Sequence, residues 1–308
     1  MPLLERKQAL LAKIETTYGV DSVPTGAANA MLVRALSATP MQLEAEARAL
    51  YLPYLGNDED IVAAFYGMLD FEVEVAGAGA LGTAPKYGPL LRGCALAEVV
   101  TAGVKVSYTP VSAGFESLSL YFHLDGLLHK MLGARGDVEL QLNAKSVPVF
   151  KFKFMGLFIP VTDTVLPTAV YTGFVKPLAV NKANTTYAVH AISTPMTKLS
   201  VALKNDVKYR NLVGYEGVDI VDRAPTGDVE FEATLMATKN WFNVARDVVT
   251  DVMSVTHGTV AGNTVFVTAP KTQITSPKYG QTDGISMLNT GLKFLPNLGN
   301  DELLIEVR

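Results

Sequence analysis

Acidic and apolar residues alternate from Asp70 to Val75 (Asp-Phe-Glu-Val-Glu-Val) and again from Asp228 to Glu232 (Asp-Val-Glu-Phe-Glu). A period of two puts the acids on one face and the apolar residues on the other, predicting strands packed on one side and wet on the other. Further strand-like runs occupy 104–110, 116–126, 137–144 and 147–161, separated by glycine-centred turns. Others lie between 187 and 235 and at 263–269, 291–296 and 301–308. Helical spacing is rarer. Leu3, Leu4, Leu10, Leu11 and Ile14 predict an amphipathic helix over 3–16, ended by Gly19. Pro89 opens a second helix, with Leu90, Leu91 and Cys94 along its apolar face. Trp241, Ala245, Val248 and Val252 line a third over 239–253. The segment 42–50 (Gln-Leu-Glu-Ala-Glu-Ala-Arg-Ala-Leu) fits a helix almost as well as a strand.

Residues 43–95 align without gaps on residues 201–253. Tyr51 meets Tyr209, Gly56 meets Gly214, and Asp70, Glu72 and Glu74 meet Asp228, Glu230 and Glu232. Apolar positions follow, from Leu43/Val201 and Val62/Ile220 to Leu90, Leu91 and Cys94 against Val248, Val249 and Val252. Identities are few. The weight rests on a shared order: two strand-like runs, an acidic alternating strand, a link and a short apolar-faced helix. A unit written twice predicts a mainly β chain of two tandem modules, each with a flanking short α-helix. The expected division is an N-terminal helical arm at 1–30, a first module at 31–165, a proline-containing crossover at 166–186 and a second module at 187–308.

Composition narrows the classes of function. Hydrophobic residues make up 49% of the 308 and charged residues 18%, enough for a sizeable core. A mean hydropathy of +0.23 is high for a soluble monomer, yet no apolar run approaches the roughly 18–20 residues of a membrane helix. Surplus apolar surface of this kind predicts burial between subunits. The net charge is −4, and no basic cluster suited to displacing counterions from DNA is present. The single cysteine, Cys94, excludes an intrachain disulfide framework and reads as a buried structural thiol. Charged Glu5, Arg6 and Lys7 precede the first apolar run, unlike a secretion signal, so the chain is expected to stay in a cytoplasm.

Motifs with chemistry are weak. Gly77, Gly79 and Gly82 spell a dinucleotide fingerprint, but the preceding strand alternates instead of being continuously apolar. Pro85 and Gly88 also interrupt the helix that should follow, so a small-residue loop is the better reading. His123, His129, His190 and His257 lack metal-ligand spacing and read as packed or exposed histidines. No cofactor, metal or catalytic residue is predicted. The same-face pairs Glu72/Glu74 and Glu230/Glu232 remain. A solvated sheet face comes first for them, an acidic channel lining second, and acid–base catalysis across a cleft a distant third.

Several strings carry a family resemblance: LLAKIETTYGVDSVPTGAANAMLV at 10–33, PYLGNDE at 53–59 and GTAPKYGPLLRGCALAE at 82–98. To these add SLYFHLDGLLHKMLGARGDVELQLNA at 119–144, YRNLVGYEGVDIVDRAPTGDVEFEA at 209–233 and GNDELLIEV at 299–307. Through them the chain resembles the major tail tube proteins of long, non-contractile-tailed bacteriophages. The resemblance implies β-barrel or sandwich modules with a flanking helix, forming rings that stack into a tube. Such a tube, assembled in the host cytoplasm and carried in the virion tail, encloses the tape-measure protein and later conducts the genome. Its implied partners are copies of itself, the tape-measure protein, and the tail terminator and tail tip proteins. DNA would pass without specific binding, no membrane would be involved, and no enzymatic activity is implied. Two modules per chain imply rings of three chains with pseudo-sixfold symmetry, and a hexamer of single modules is the alternative. Glu72, Glu74, Glu230 and Glu232 are the lumen-lining candidates. The N-terminal arm is the candidate inter-ring contact. The competing reading is a single-ring tail-completion, baseplate-hub or secretion-system tube component.

Overall fold

Period-two alternation builds most of the computed structural model, which describes residues 2–308. The first half runs β1 (Gln8–Ile14), α1 (Gly26–Asn29), β2 (Ala30–Met31), β3 (Arg34–Ala47), β4 (Asp60–Glu74) and α2 (Gly88–Gly93). It continues through β5 (Leu96–Thr101), β6 (Lys105–Pro110), β7 (Leu118–Leu124), β8 (Leu127–Asn143) and β9 (Val149–Asp163). Residues 164–184 carry neither helix nor strand. The second half runs β10 (Thr185–Val189), β11 (Met196–Ala202), β12 (Asn205–Leu212), β13 (Tyr215–Arg223), β14 (Thr226–Glu232) and α3 (Trp241–Arg246). It ends with β15 (Thr250–His257), β16 (Val265–Thr282), β17 (Ile285–Phe294) and β18 (Leu304–Val307).

The pairing is antiparallel, and sixteen strands share one hydrogen-bonded sheet while β12 and β13 form a separate ribbon. In the first half the strands neighbour one another in the order β3-β4-β9-β8-β7-β1. The second half has the order β11-β14-β17-β16-β15-β10. A short helix follows the acidic strand each time. In each half a long hairpin runs out and returns. The gap-free alignment matches the returning strands, but the ladders put Ala38, not Leu43, in the place of Val201, so the outgoing strands are offset from it by five residues. The first is β3–β4; the second is β11–β12 running out and β13–β14 returning, bent at Leu203-Lys204 and Ala224-Pro225. Two ladders join the halves: β11 pairs with β8, and β18 bridges β16 to β6.

Apolar members of the alternating strands meet in one core. Phe71 and Val73 of β4 turn inward, as do Val229 and Phe231 of β14. Phe71 packs against Phe152 and Phe154, with ring centroids 5.6 and 5.9 Å apart. Leu90, Leu91 and Cys94 of the α2 region are buried as the proline-led pattern predicts. Burial pushes the Cys94 thiol well above its usual pKa, which suits a packing role.

Two helix predictions need correction. The expected N-terminal helix over 3–16 is instead strand β1, paired with β2 on one side and β7 on the other. Ala9, Leu10, Leu11 and Ala12 are all buried, so both faces of this strand are covered. A strand buried on both faces reads as a continuous apolar run, which periodicity alone cannot tell from a helix. The expected helix over 239–253 stops at Arg246. Val248 adopts a left-handed φ of 54°, and the chain becomes β15 at Thr250. Trp241 is buried against Phe231 at 5.0 Å as expected of the helix face, but Val248 and Val252 are exposed.

Candidate functional site

The register places Glu72, Glu74, Glu230 and Glu232 on one face of a continuous run of strands, β3-β4-β9-β8-β11-β14-β17-β16. Directly opposed residues share a face, and the chain of opposites connects the two acidic strands. All four glutamates are half-buried beside the inward Phe71 and Phe231 positions. In the first half they are tied to cations. Arg34 Nε lies 3.0 Å from Glu72 Oε2, Lys151 Nζ lies 3.6 Å from Glu72 Oε1, and Arg34 Nη1 lies 3.9 Å from Glu74. Lys153 pairs with Asp70 at 3.9 Å. In the second half Thr197 Oγ1 donates to Glu230 Oε2 at 2.5 Å, and Lys198 stands opposite Glu230 in the ladder. The face therefore carries interleaved charges of both signs instead of a purely acidic field. Sequence reasoning passed over these cations, although the Phe-Lys-Phe-Lys-Phe alternation of 150–154 marked two of them.

A second feature is a contrast between the hairpins. The β3–β4 hairpin projects with Met41, Leu43, Leu50, Ile61 and Val62 exposed, and Tyr51 and Leu55 at its tip are wholly exposed. The β12–β13 hairpin instead lies on the first half. Tyr209 stacks on Tyr66 with ring centroids 4.8 Å apart. Val218 N–H donates to Tyr18 Oη at 2.6 Å, and Arg135 Nη1 donates to the Val218 carbonyl at 2.8 Å. The same guanidinium reaches Asp219 at 3.3 Å and the Phe115 carbonyl at 3.1 Å, and it lies 4.7 Å over the Tyr18 ring. Gly133, with a φ of 58°, makes room for Tyr18: a Cβ there would meet its ring at 2.8 Å. Burial holds the Tyr18 hydroxyl above its usual pKa. Only the glycines flanking Arg135 in β8 hinted at this clasp.

The glycine loop has a packing role. Gly77 N–H donates to Asn263 Oδ1 at 2.6 Å, Gly79 N–H donates to the Gly262 carbonyl at 2.9 Å, and a Cβ on Gly77 would lie 2.3 Å from that carbonyl oxygen. Small residues are what let the two loops touch. His123, His129, His190 and His257 each keep one ring nitrogen buried without a hydrogen-bond partner among the described residues. Burial lowers the pKa of all four. Among the described residues no group of three His, Cys, Asp or Glu side chains is placed to hold a metal, and no helix is long and apolar enough to cross a membrane.

Together these make an antiparallel sheet with open edges, a projecting hairpin with exposed apolar residues and a mixed-charge face. The chain belongs to the phage tail tube protein family, which matches it over residues 5–289 and so across both halves. It is accordingly a structural component of the bacteriophage virion tail. No curated protein matches it.

Proposed function

We propose that this chain closes into rings of three that stack into the tail tube, each half serving as one tube module. The observation that carries the reading is the recurrence of one strand order, β3-β4-β9-β8-β7-β1 and β11-β14-β17-β16-β15-β10. Two like modules in tandem make a three-chain ring pseudo-sixfold, and head-to-tail contacts between copies close it. The polar face bearing Glu72, Glu74, Glu230 and Glu232 lines the channel in this reading. Its interleaved charges give the passing DNA no extended basic surface to grip. The tube encloses the tape-measure protein before ejection, joins the terminator and tip proteins at its ends, and conducts the genome. The role is structural, with no reaction step.

Electron microscopy of the concentrated protein, classified by rotational symmetry, tests this. Stacked hollow rings of three elongated chains support it, whereas six compact chains per ring would overturn the stoichiometry. Converting the four glutamates to lysine should leave assembly intact and slow genome ejection. Unchanged infectivity would move them to the outer wall.

A further inference from the structure

Among the described residues, β3 has a ladder partner on one side only, β4, and the end of β16 from Lys278 to Thr282 has only β17. The equivalent strands inside the chain are not left open. Each acidic strand sets a common origin, with Glu72 matching Glu230. Arg34 opposes Glu72 as Lys198 opposes Glu230, so β3 corresponds to β11. Lys151 and Asn289 oppose those glutamates on the other side, and Glu139 and Lys278 oppose them in turn. The end of β16 therefore corresponds to the end of β8. Within the chain, β8 and β11 are paired to each other.

Burial differs as that correspondence requires. Leu140 on β8 is 4% exposed beneath β11, whereas its counterpart Tyr279 on β16 is 60% exposed. Leu199 and Val201 of β11 are fully packed, while their counterparts Leu36 and Ala38 on β3 are only partly covered. Phe242 of α3 packs against Tyr279 with tilted rings 5.4 Å apart and is itself exposed. The open edge thus carries apolar surface on the face that is core in the other half.

We propose that β3 of one copy adds to the Lys278–Thr282 end of β16 in a second copy, in the register that β11 adopts on β8. This deepens the tube reading above and rests on it. The internal joint sets Ala202 opposite Glu139, Val201 opposite Leu140 and Ser200 opposite Gln141. Carried over, Thr39 faces Lys278, Ala38 faces Tyr279 and Ser37 faces Gly280 across the seam. Ala38 then covers Tyr279, and both open backbone edges gain ladder partners. Such a contact uses different surfaces on the two copies, which is the kind that closes rings.

Cysteine pairing tests the register. Directly opposed residues lie about 4.5–5.5 Å apart between Cα atoms, within disulfide reach, and the native Cys94 is buried out of the way. Chains carrying Thr39→Cys are mixed with chains carrying Lys278→Cys, assembled and oxidised. Most of the product should be dimers of unlike chains. A chain bearing both substitutions should give covalent closed rings. Thr39→Cys with Tyr279→Cys, one residue out of step and on opposite faces, should give little. As an independent variant, Tyr279→Lys should leave the monomer's denaturation midpoint unchanged and abolish rings. Rings that form without the Thr39–Lys278 cross-link, or that cross-link equally out of step, overturn the seam and leave the tube reading standing. Unmodified chains that never form rings would sink both.

Discussion

The two long hairpins hold the same place in the two strand orders under different circumstances. The β12–β13 ribbon lies on the first half, clasped by Tyr18 and Arg135 and stacked through Tyr209 on Tyr66. The β3–β4 hairpin reaches out with Tyr51 and Leu55 bare. An element that is satisfied once within the chain and left unsatisfied once has a missing partner of the same kind. In the proposed ring, the docked hairpin indicates the kind of surface the free one would meet, a neighbour's sheet.

The comparison can be broken most severely at the free hairpin. Replacing residues 48–59 by Asn-Gly should leave the monomer's denaturation midpoint in place and eliminate rings altogether by electron microscopy. Rings that persist would free the hairpin of any role between copies. Next in size comes the clasp on the docked hairpin. Arg135→Ala strands the Val218 and Phe115 carbonyls and should cost about 3 kcal/mol in chemical denaturation of the monomer; a loss under about 0.5 kcal/mol would show that the ribbon is held elsewhere. Tyr209→Ala should cost about 1 kcal/mol through its stack on Tyr66. Tyr51→Ala should move the monomer by less than about 0.5 kcal/mol, because its ring touches nothing there. Equal costs for the two tyrosines would erase the contrast.

A gentler test spans both halves, since each holds two of the histidines, His129 half-buried and the other three buried. Their folded pKa values lie below the usual 6.5 because burial disfavours the charged ring. Below about pH 6.5 the unfolded chain therefore binds more protons than the folded one, and stability falls as the pH drops from there. Asp137, raised by burial, acts in the opposite direction at lower pH. The Tm should decline between pH 7.5 and 5.5; a Tm that rises would contradict the sign.

Strands with one wet face were legible because alternation survives in sequence, as in Asp70–Val75 and the Phe-Lys run of β9. The likeness of the two hairpins was legible along the returning acidic strands, where Asp70–Glu74 matches Asp228–Glu232. It was not legible along the outgoing ones, where the ladders put Ala38 instead of Leu43 in the place of Val201. Beyond Glu74 and Glu232 the links differ in length, reaching a helix at Gly88 in one half and at Trp241 in the other. That difference slipped Leu90 and Leu91 onto Val248 and Val249, which are exposed turn residues. Strand β1 was hidden by burial on both faces. The clasp of Arg135 on Tyr18 and Val218 was hidden for another reason: its members lie far apart in the chain, and only the folded sheet brings them together. Charge on the candidate face was half legible, since the acids announce themselves in alternation while Arg34 and Lys198 enter from other strands.

The small strand β18 sets the order in which this sheet can be completed. It lies between β16 and β6, and β6 has no ladder partner among the described residues besides β5 and β18. Leu304–Val307 leaves the ribosome after every other strand of that sheet. At roughly 5–20 residues per second, β5 and β6 wait some ten seconds or more after their own synthesis for the strand that closes them. A nascent chain thus keeps β6 without its second neighbour until translation has passed every other strand of the sheet, so a contact that needs the finished sheet cannot form while those strands are being made.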